Sequence, residues 1–594
     1  MGAIMRECDL VMKGGVTSGV VYPHAIVEIA RVYRLRSIGG TSAGAIAAAV
    51  AAAAEHRRAQ SPGKDDFAGY DGIVAIADEI GRDMKSLFQP APRLRPLFDI
   101  LMATVAAGSV SKLRAAARAT LRAYGGRALV ATGIGLAMVV AGLAQSNLWL
   151  SALGIVVGIV LLAMVIGVAL WRAIMVDLPA HDFGICPGLR QNDTVKPALT
   201  DWLADHIDRV AGNLDPTGVP GDPLTIGQLS DHGIEIATIT TDLSSGRPYQ
   251  LPLKSDHHYF SRAEFELLFP KRVVDYLVRD RKPLGGVGAQ LPQDLYPLAS
   301  GRDFPVLLVA RMSLSFPGLI SAVPLYRFDD LLPDGPGRSK IRRCLFSDGG
   351  ISSNFPIHFF DSFLPGRPTF GITLSSWEQE RHKDVRVVLP NHPRQSTHLP
   401  VKAITGTGSF LSSILHTSKD WQDTLQSLLP GYADRIVEVR LDDAREGGMN
   451  LAMDAETIAQ LGGYGKEAGR ILVDQFEFDE HRWLRALSLL PKLEGELENM
   501  AVAYRAEPAG GGMTYDTLLA DYKPRSYKNT SVWRREVLLP FLTSLAASGD
   551  AAGEANVASG TRSLRKGDVP RADSNLRLVA GADRASVRRT DTGA

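Results

Sequence analysis

The sequence predicts an α/β fold with a mainly parallel central sheet, an inserted helical hairpin and a helical C-terminal extension. Three observations carry that expectation. Strand-like and helix-like runs alternate through the first sixty residues, the pattern that makes adjacent parallel strands by a right-handed crossover. A serine stands between glycines, in Gly40-Thr41-Ser42-Ala43-Gly44, where an apolar strand passes into an alanine-rich helix. From Ala128 to Trp171 there is no charged residue at all.

Taken in order, residues 8–12 read as a short buried strand, followed by the turn Lys13-Gly14-Gly15-Val16-Thr17-Ser18-Gly19 and a helix over roughly 20–31. Residues 33–39 read as a second strand, and the alanine-rich run from Ser42 as a second helix. Both turns then open at the carboxyl edge of the sheet, where open α/β folds place their sites. A polar loop at 56–72 leads into helical stretches that run to about residue 122.

The uncharged stretch holds two apolar segments around a polar Gln145-Ser146-Asn147. A membrane-spanning helix takes about 20 apolar residues, and two such segments joined by a tight turn leave both flanks on one side. Both flanks are basic, with Lys112, Arg114, Arg118, Arg122 and Arg127 before and Arg172 after. The positive-inside tendency puts them, and the catalytic domain with them, on the cytoplasmic side of a membrane. A buried core hairpin is the alternative. The first segment is the weaker half, being short and glycine-rich.

Strand and helix signals resume after the hairpin. An amphipathic helix falls at 197–211, a strand at 233–243, a helix over 305–318 ending at a turn, and a strand ending in Asp348-Gly349-Gly350. Residues 367–374 form another strand, and candidate helices follow near 400–427, 455–474 and 482–505. The expected division is a catalytic domain over 1–380, interrupted by the hairpin at 123–176, a mainly helical extension over 381–545 and a disordered tail over 546–594.

Bulk composition narrows the function classes. The 594 residues suggest two or three units, and a formal net charge of +1 makes no case for a nucleic-acid partner. Three distant cysteines, Cys8, Cys186 and Cys344, fit neither a disulfide framework nor a zinc site, and read as buried thiols of a reducing compartment. The N-terminus lacks the basic and apolar regions of a signal peptide. No His, Asp or Glu cluster has metal-ligand spacing, so neither metal nor cofactor is expected.

A serine on a sharp strand-to-helix turn has a mechanical purpose. Flanking glycines let the backbone make a strained turn, the hydroxyl stands clear of the sheet, and the helix start favours developing negative charge. The earlier glycine-rich turn presents backbone N–H groups in the same crevice, which suits a tetrahedral oxyanion. A dinucleotide site would need G-x-G-x-x-G, which is absent. An α/β-hydrolase would place its serine after several strands and a histidine last. Here only about two strands precede Ser42.

Oxyanion loop first, serine second and a distant Asp-Gly last resembles the patatin-like phospholipase family. The resemblance spans roughly residues 7–375, and rests on Lys13–Ile26, Gly40–Gly44, the segment 310–325, and Ser347-Asp348-Gly349-Gly350 followed by Asn354-Phe355-Pro356. It implies a three-layer α/β/α fold and a Ser-Asp dyad, with Ser42 as nucleophile, Asp348 as base and no triad histidine. It also implies an oxyanion hole at Gly14, Gly15 and Val16, with Gly19, Gly40, Gly44, Gly349 and Gly350 as motif glycines. The family's third glycine and its basic residue are replaced here by Val16 and Ser18. Gly14 and Gly15 are therefore better donors than Val16.

A carboxylate is a weak base for a hydroxyl, so Asp348 needs burial and a direct hydrogen bond to Ser42. His24 and His358 lie near the motifs in sequence but read as packing or surface residues, and Asp242 as a turn former. The expected function is a membrane-associated hydrolase of fatty-acyl lipid esters, anchored in the bilayer through 128–171. A catalytically silent lipid-binding scaffold and a lipid transacylase are the alternatives.

Overall fold

A computed structural model of the chain describes residues 5–15, 18–61, 66–105, 112–191, 195–255, 257–285, 291–332, 340–390, 431–443, 445–447, 450–451, 453–525 and 531–559, with isolated positions at 401–417 and at 564. Strands β1 (Arg6–Met12) and β2 (Tyr33–Gly40) lie parallel, linked through α1 (Tyr22–Ala30), and α2 (Ala43–Gln60) leaves the end of β2. Strand β4 (Glu235–Asp242) joins β2 in parallel, with Gly40 opposite Thr238. On the other side β11 (Thr369–Ser376) joins β1, again in parallel.

Beyond β4 the sheet changes character. Strand β5 (Arg247–Leu251) returns antiparallel on β4, and β10 (Ile341–Asp348) also pairs with β4 antiparallel. Strands β9 (Val323–Phe328), β6 (Tyr259–Ser261) and β7 (Leu295–Pro297) extend that half, all antiparallel. The sheet is therefore mixed, where the sequence predicts a mainly parallel one. A short turn makes β4 and β5 a hairpin, which is antiparallel by construction, while β10 and β7 reach their antiparallel partners over long connections. The alternation signal does not distinguish the two cases.

Helix α2 explains how the core closes. Ala45 and Ala48 through Ala54 (apart from Val50, itself buried) have almost no exposed surface, so this helix is buried nearly all round. Alanine lets neighbours approach closely: a Cβ on Gly69 of α3 (Ala68–Asp83) would stand 2.9 Å from the Ala54 Cα. All three cysteines are buried and unpaired.

The uncharged stretch forms two antiparallel helices, α6 (Gly125–Ala144) and α7 (Leu148–Arg172). Asn147 caps α7, its side chain accepting from the Leu150 N–H at 3.1 Å. The seam is built on small residues: a Cβ on Gly135 would lie 2.6 Å from the Gly158 Cα, and one on Gly154 2.8 Å from the Met138 Cβ. Among the described residues one helix, Leu148–Ala180, is long and apolar enough to cross a membrane; the apolar run opposite it, Gly133–Ala144, is shorter.

Two expected boundaries move. Past residue 380 the chain still builds the central sheet: β13 (Ile436–Leu441) pairs in parallel with β11, and β12 (Val387–Val388) pairs with β13. The helix Ala455–Gln475 packs on α1, where a Cβ on Gly469 would stand 2.7 Å from the Ala25 carbonyl oxygen. The α/β body therefore does not stop at 380. The start of the expected disordered tail is helical, in Leu539–Ser559, where Gly549 sits against the Leu497 carbonyl. Alanine is the strongest helix former, and here it outweighs the shortage of large apolar groups. Residues 565–594, like most of the expected helix at 400–427, lie outside the described residues.

Candidate active site

Strand β2 ends on Gly40, and the chain turns through Thr41 and Ser42 into α2. The Met12 carbonyl of β1 explains both flanking glycines. A Cβ on Gly40 would stand 2.7 Å from that oxygen, and one on Gly44 would fall on it. The turn holds Ser42 at φ 55° and ψ −122°, a conformation rare for a residue with a side chain. Strain of that kind costs on the order of 1–3 kcal/mol and persists only where the surroundings over-determine it. Here the Ser42 N–H donates to Ser313 Oγ at 3.2 Å, and its hydroxyl donates to the Gly15 carbonyl at 3.2 Å. Ser42 is also the residue that starts α2, where helix dipoles favour negative charge.

Asp348 arrives from the opposite direction. It is the last residue of β10 and lies opposite Thr240 of β4, two residues beyond Gly40's partner Thr238. Ser42 and Asp348 thus flank the same stretch of one strand. Contact between their turns depends on Gly349: a Cβ there would fall on the Ile239 carbonyl and stand 2.9 Å from Thr41 Cγ2. The Asp348 N–H donates to the Ser315 carbonyl at 2.9 Å, and its Oδ1 accepts from the Gly350 N–H at 2.7 Å. One turn, Ser313 to Ser315, therefore tethers both residues.

Several expectations change in detail. Ser42 is buried, at 3 % exposure, and does not stand clear of its surroundings. Its hydroxyl bonds Gly15 and not Asp348, whose Oδ1 caps its own turn. The glycine loop also presents itself differently. The Gly14 N–H is taken by the Asn354 carbonyl at 2.8 Å, and Gly15 turns its carbonyl to Ser42 Oγ and to the Ala43 N–H. The expected donors are Gly14, Gly15 and Val16. Gly14 is engaged elsewhere, and Val16 lies outside the described residues. Gly19 is close-packed on α2, where a Cβ would stand 2.7 Å from the Ala43 Cβ.

The remaining named residues have other partners. His24 packs against Gly462 of the helix Ala455–Gln475, and burial lowers its pKa. His358 is exposed and packs edge-on to Phe359. Asp242 accepts from the Ser244 N–H at 2.9 Å, as a turn former does. Among the described residues no three His, Cys, Asp or Glu side chains are placed to hold a metal ion.

What sequence reasoning missed is the support. Arg311, on the helix Val306–Ser313, is fully buried. It donates to Ser315 Oγ at 2.6 Å, to Thr200 Oγ1 at 3.2 Å, and to the carbonyls of Pro187 and Ser321 at 3.0 Å. Burial pushes its pKa down to about 10, so it remains charged at neutral pH. It stitches the Ser313–Ser321 segment to the chain emerging from the hairpin. There β3 (Gly184–Cys186) pairs with β8 (Gly318–Ile320). A cation and two serines in an otherwise apolar run were the available signal.

An apolar slot opens at Ala43, the residue after Ser42. Gly19 and Ala43 stand at the end nearest Ser42 in the chain, Ile46 and Val50 continue along α2, and Leu314 and Phe316 follow Ser313.

No protein-family model matches the chain. Over 632 residues it is 34% identical to the RpoH suppressor of Rhizobium meliloti (strain 1021), covering 92% of this chain and 95% of that protein. A 174-residue stretch, 29% of this chain and 49% of the relative, is 26% identical to the uncharacterized protein YqhO of Bacillus subtilis (strain 168). Among solved structures, that of VipD from Legionella pneumophila aligns with 94% of this chain and 89% of its own, at 12% identity and a TM-score of 0.29. With so large a share of both sequences matched, the chain belongs to the family of the RpoH suppressor of Rhizobium meliloti.

Proposed function

We propose that the chain is a membrane-associated lipid acyl hydrolase of the patatin-like kind, with a three-layer α/β/α catalytic body. The observation that carries this reading is the strained Ser42, held at φ 55° at the start of α2 with Asp348 on the far side of the same strand. Ser42 Oγ attacks an ester carbonyl and its proton passes to Asp348. The tetrahedral intermediate collapses to an acyl-serine as Asp348 returns that proton to the departing alkoxide, releasing the alcohol. Water then loses a proton to the regenerated carboxylate and attacks the acyl-serine, and Asp348 passes the proton to Ser42 Oγ as the fatty acid leaves. The apolar slot supports a long acyl chain as the part recognised, because it offers a hydrocarbon few polar groups to desolvate.

The membrane part of the proposal draws on α7. Ile155, Val156, Ile159, Val160, Met164 and Val168 are each more than half exposed, a larger apolar face than soluble proteins leave to water. Trp149 and Trp171 bracket it, 22 positions apart. At 1.5 Å per residue that is about 33 Å, close to the roughly 30 Å of a bilayer's hydrocarbon core, with a tryptophan at each interface. The cytoplasmic placement of the catalytic body rests on the basic flanks.

A second reading, a catalytically silent lipid-binding scaffold, is favoured by the Gly15 carbonyl, which stands against Ser42 Oγ where a donor would be wanted. Lipid mass spectrometry separates the two. Membranes exposed to the wild type should accumulate free fatty acid and lysolipid, and those exposed to Ser42→Ala should not. Identical lipid profiles would support the scaffold, and acyl exchange without free acid a transacylase.

A further inference from the structure

Where the hairpin meets the α/β body, a second cleft opens, of about 1120 Å³ of non-atom space with its mouth included. Pro92, Arg93 and Pro96, around the start of α4 (Arg95–Val105), form one wall; Tyr124, between α5 (Lys112–Ala123) and α6, and Arg172 and Asp177 form the other. Two guanidinium groups here face one carboxylate. Arg93 Nη1 and Arg172 Nε each stand 3.9 Å from an Asp177 oxygen, too far for a hydrogen bond. Both arginine side chains are largely exposed, at 73% and 63%, while that of Asp177 is 11% exposed. One turn of π-helix, Ala173–Asp177, brings Asp177 onto the side of Arg172; such turns recur at functional sites.

The position of the cleft suggests its ligand. Arg172 is the first charged residue after the apolar run, immediately beyond Trp171. Helix α5 leads into the cleft with Arg114, Arg118 and Arg122 exposed at four-residue spacing, one basic face. We propose that the cleft binds the phosphate of an anionic phospholipid headgroup, in the leaflet where the hairpin is rooted. Arg93 and Arg172 hold the phosphate oxygens through paired N–H donors. Asp177 offsets the mutual repulsion of the two guanidinium groups and competes with the ligand for them. This rests on the hairpin entering a bilayer. The cleft is also continuous in the chain with the apolar slot: Met84, Leu87 and Phe88 line the slot, and Pro92 and Arg93 begin the cleft. Between them the Ala91 N–H donates to the Ile185 carbonyl at 2.9 Å. A headgroup bound here would hold the slot's entrance close to the membrane surface.

The test uses the full chain. Flotation with phosphatidylcholine vesicles first establishes insertion; failure to float would overturn the hairpin reading itself and the headgroup site with it. The inserted protein is then reconstituted in nanodiscs containing phosphatidylcholine with a minority of phosphatidylglycerol, and lipid retained after extraction is counted by native mass spectrometry. The wild type should retain phosphatidylglycerol in preference to phosphatidylcholine. Arg93→Gln with Arg172→Gln should lower that preference about tenfold or more, while Asp177→Asn should raise it. Unchanged preference in the double arginine variant would overturn the site, as would a loss in Asp177→Asn equal to that of the arginine variant. Displacement of the lipid by millimolar inorganic phosphate would mark a free-phosphate site and overturn the lipid assignment.

Discussion

Ser42 and Ser313, 271 positions apart, are joined by a hydrogen bond in which the Ser42 N–H donates to Ser313 Oγ at 3.2 Å. Ser313→Ala leaves that buried N–H without its acceptor, at a cost of about 1–3 kcal/mol. It also loosens the restraint on a backbone at φ 55°. The expected result is a lower melting temperature and a lower kcat on a soluble ester. An unchanged melting temperature and kcat would contradict the tether.

The dyad itself makes a sharper demand. Ser42→Ala and Asp348→Asn should each reduce ester hydrolysis at least about a thousandfold without changing circular dichroism. The double variant should be no worse than either, because the two act as a unit. His24→Ala and His358→Ala should retain most activity. A folded histidine variant as inactive as Ser42→Ala would replace the dyad with a triad.

Gly349 tests the convergence of the two turns. A methyl group there meets the Ile239 carbonyl, part of the sheet backbone, and cannot be accommodated by a side-chain rotation. Gly349→Ala should therefore cost about 1–3 kcal/mol of stability or more, and displace Asp348 from the crevice. Thermal denaturation and activity should fall together.

These contacts show why the site was only partly legible. Ser42, Asp348 and their glycines announce themselves because each glycine answers a local steric demand that repeats as a short motif. Arg311, Ser313 and Ser315 lie in the segment 310–325 that carries part of the resemblance, but their supporting role is not legible there, since their partners are up to hundreds of residues away. The strands β1, β2 and β4 and the helix α2 follow from periodicity. Strand β13 was lost because the chain after residue 380 turns largely helical in pattern, and a six-residue run cannot outweigh that. Backbone orientation in the Gly14–Gly15 loop was not legible at all: sequence places a glycine but not the direction of its carbonyl.

Acid should destabilise the fold through His258. Burial, with Arg327 next in weight, pushes its pKa down to about 4, and among the described residues neither ring nitrogen has a hydrogen-bond partner. Above pH ~6.5 the ring is neutral in both folded and unfolded chains. Between about 6.5 and about 4 the unfolded chain takes up a proton that the folded one refuses. Stability thus falls as pH falls, by about 3 kcal/mol in all. His258→Phe, which keeps an aromatic ring against Tyr249 and Phe346, should flatten that limb in urea titrations without loss at neutral pH. An unchanged limb would remove His258 as its cause.

Replacing residues 128–171 with a short Gly/Ser linker tests the hairpin's part. The shortened chain should be more soluble, keep hydrolysis of a small water-soluble ester and lose most activity on bilayer lipids. The intact protein should resist extraction by carbonate, since spanning helices are not held by charge. Release by carbonate would refute spanning, and loss of soluble-ester hydrolysis in a folded deletion would show that the hairpin helps build the site.

The central claim is that Ser42 is a nucleophile, and covalent labelling addresses it most directly. A fluorophosphonate probe should modify the full-length protein on the peptide containing Ser42, and Ser42→Ala should abolish labelling. Asp348→Asn should slow it strongly. A wild type that stays unlabelled although folded and membrane-inserted, or one labelled at another serine, would contradict the account.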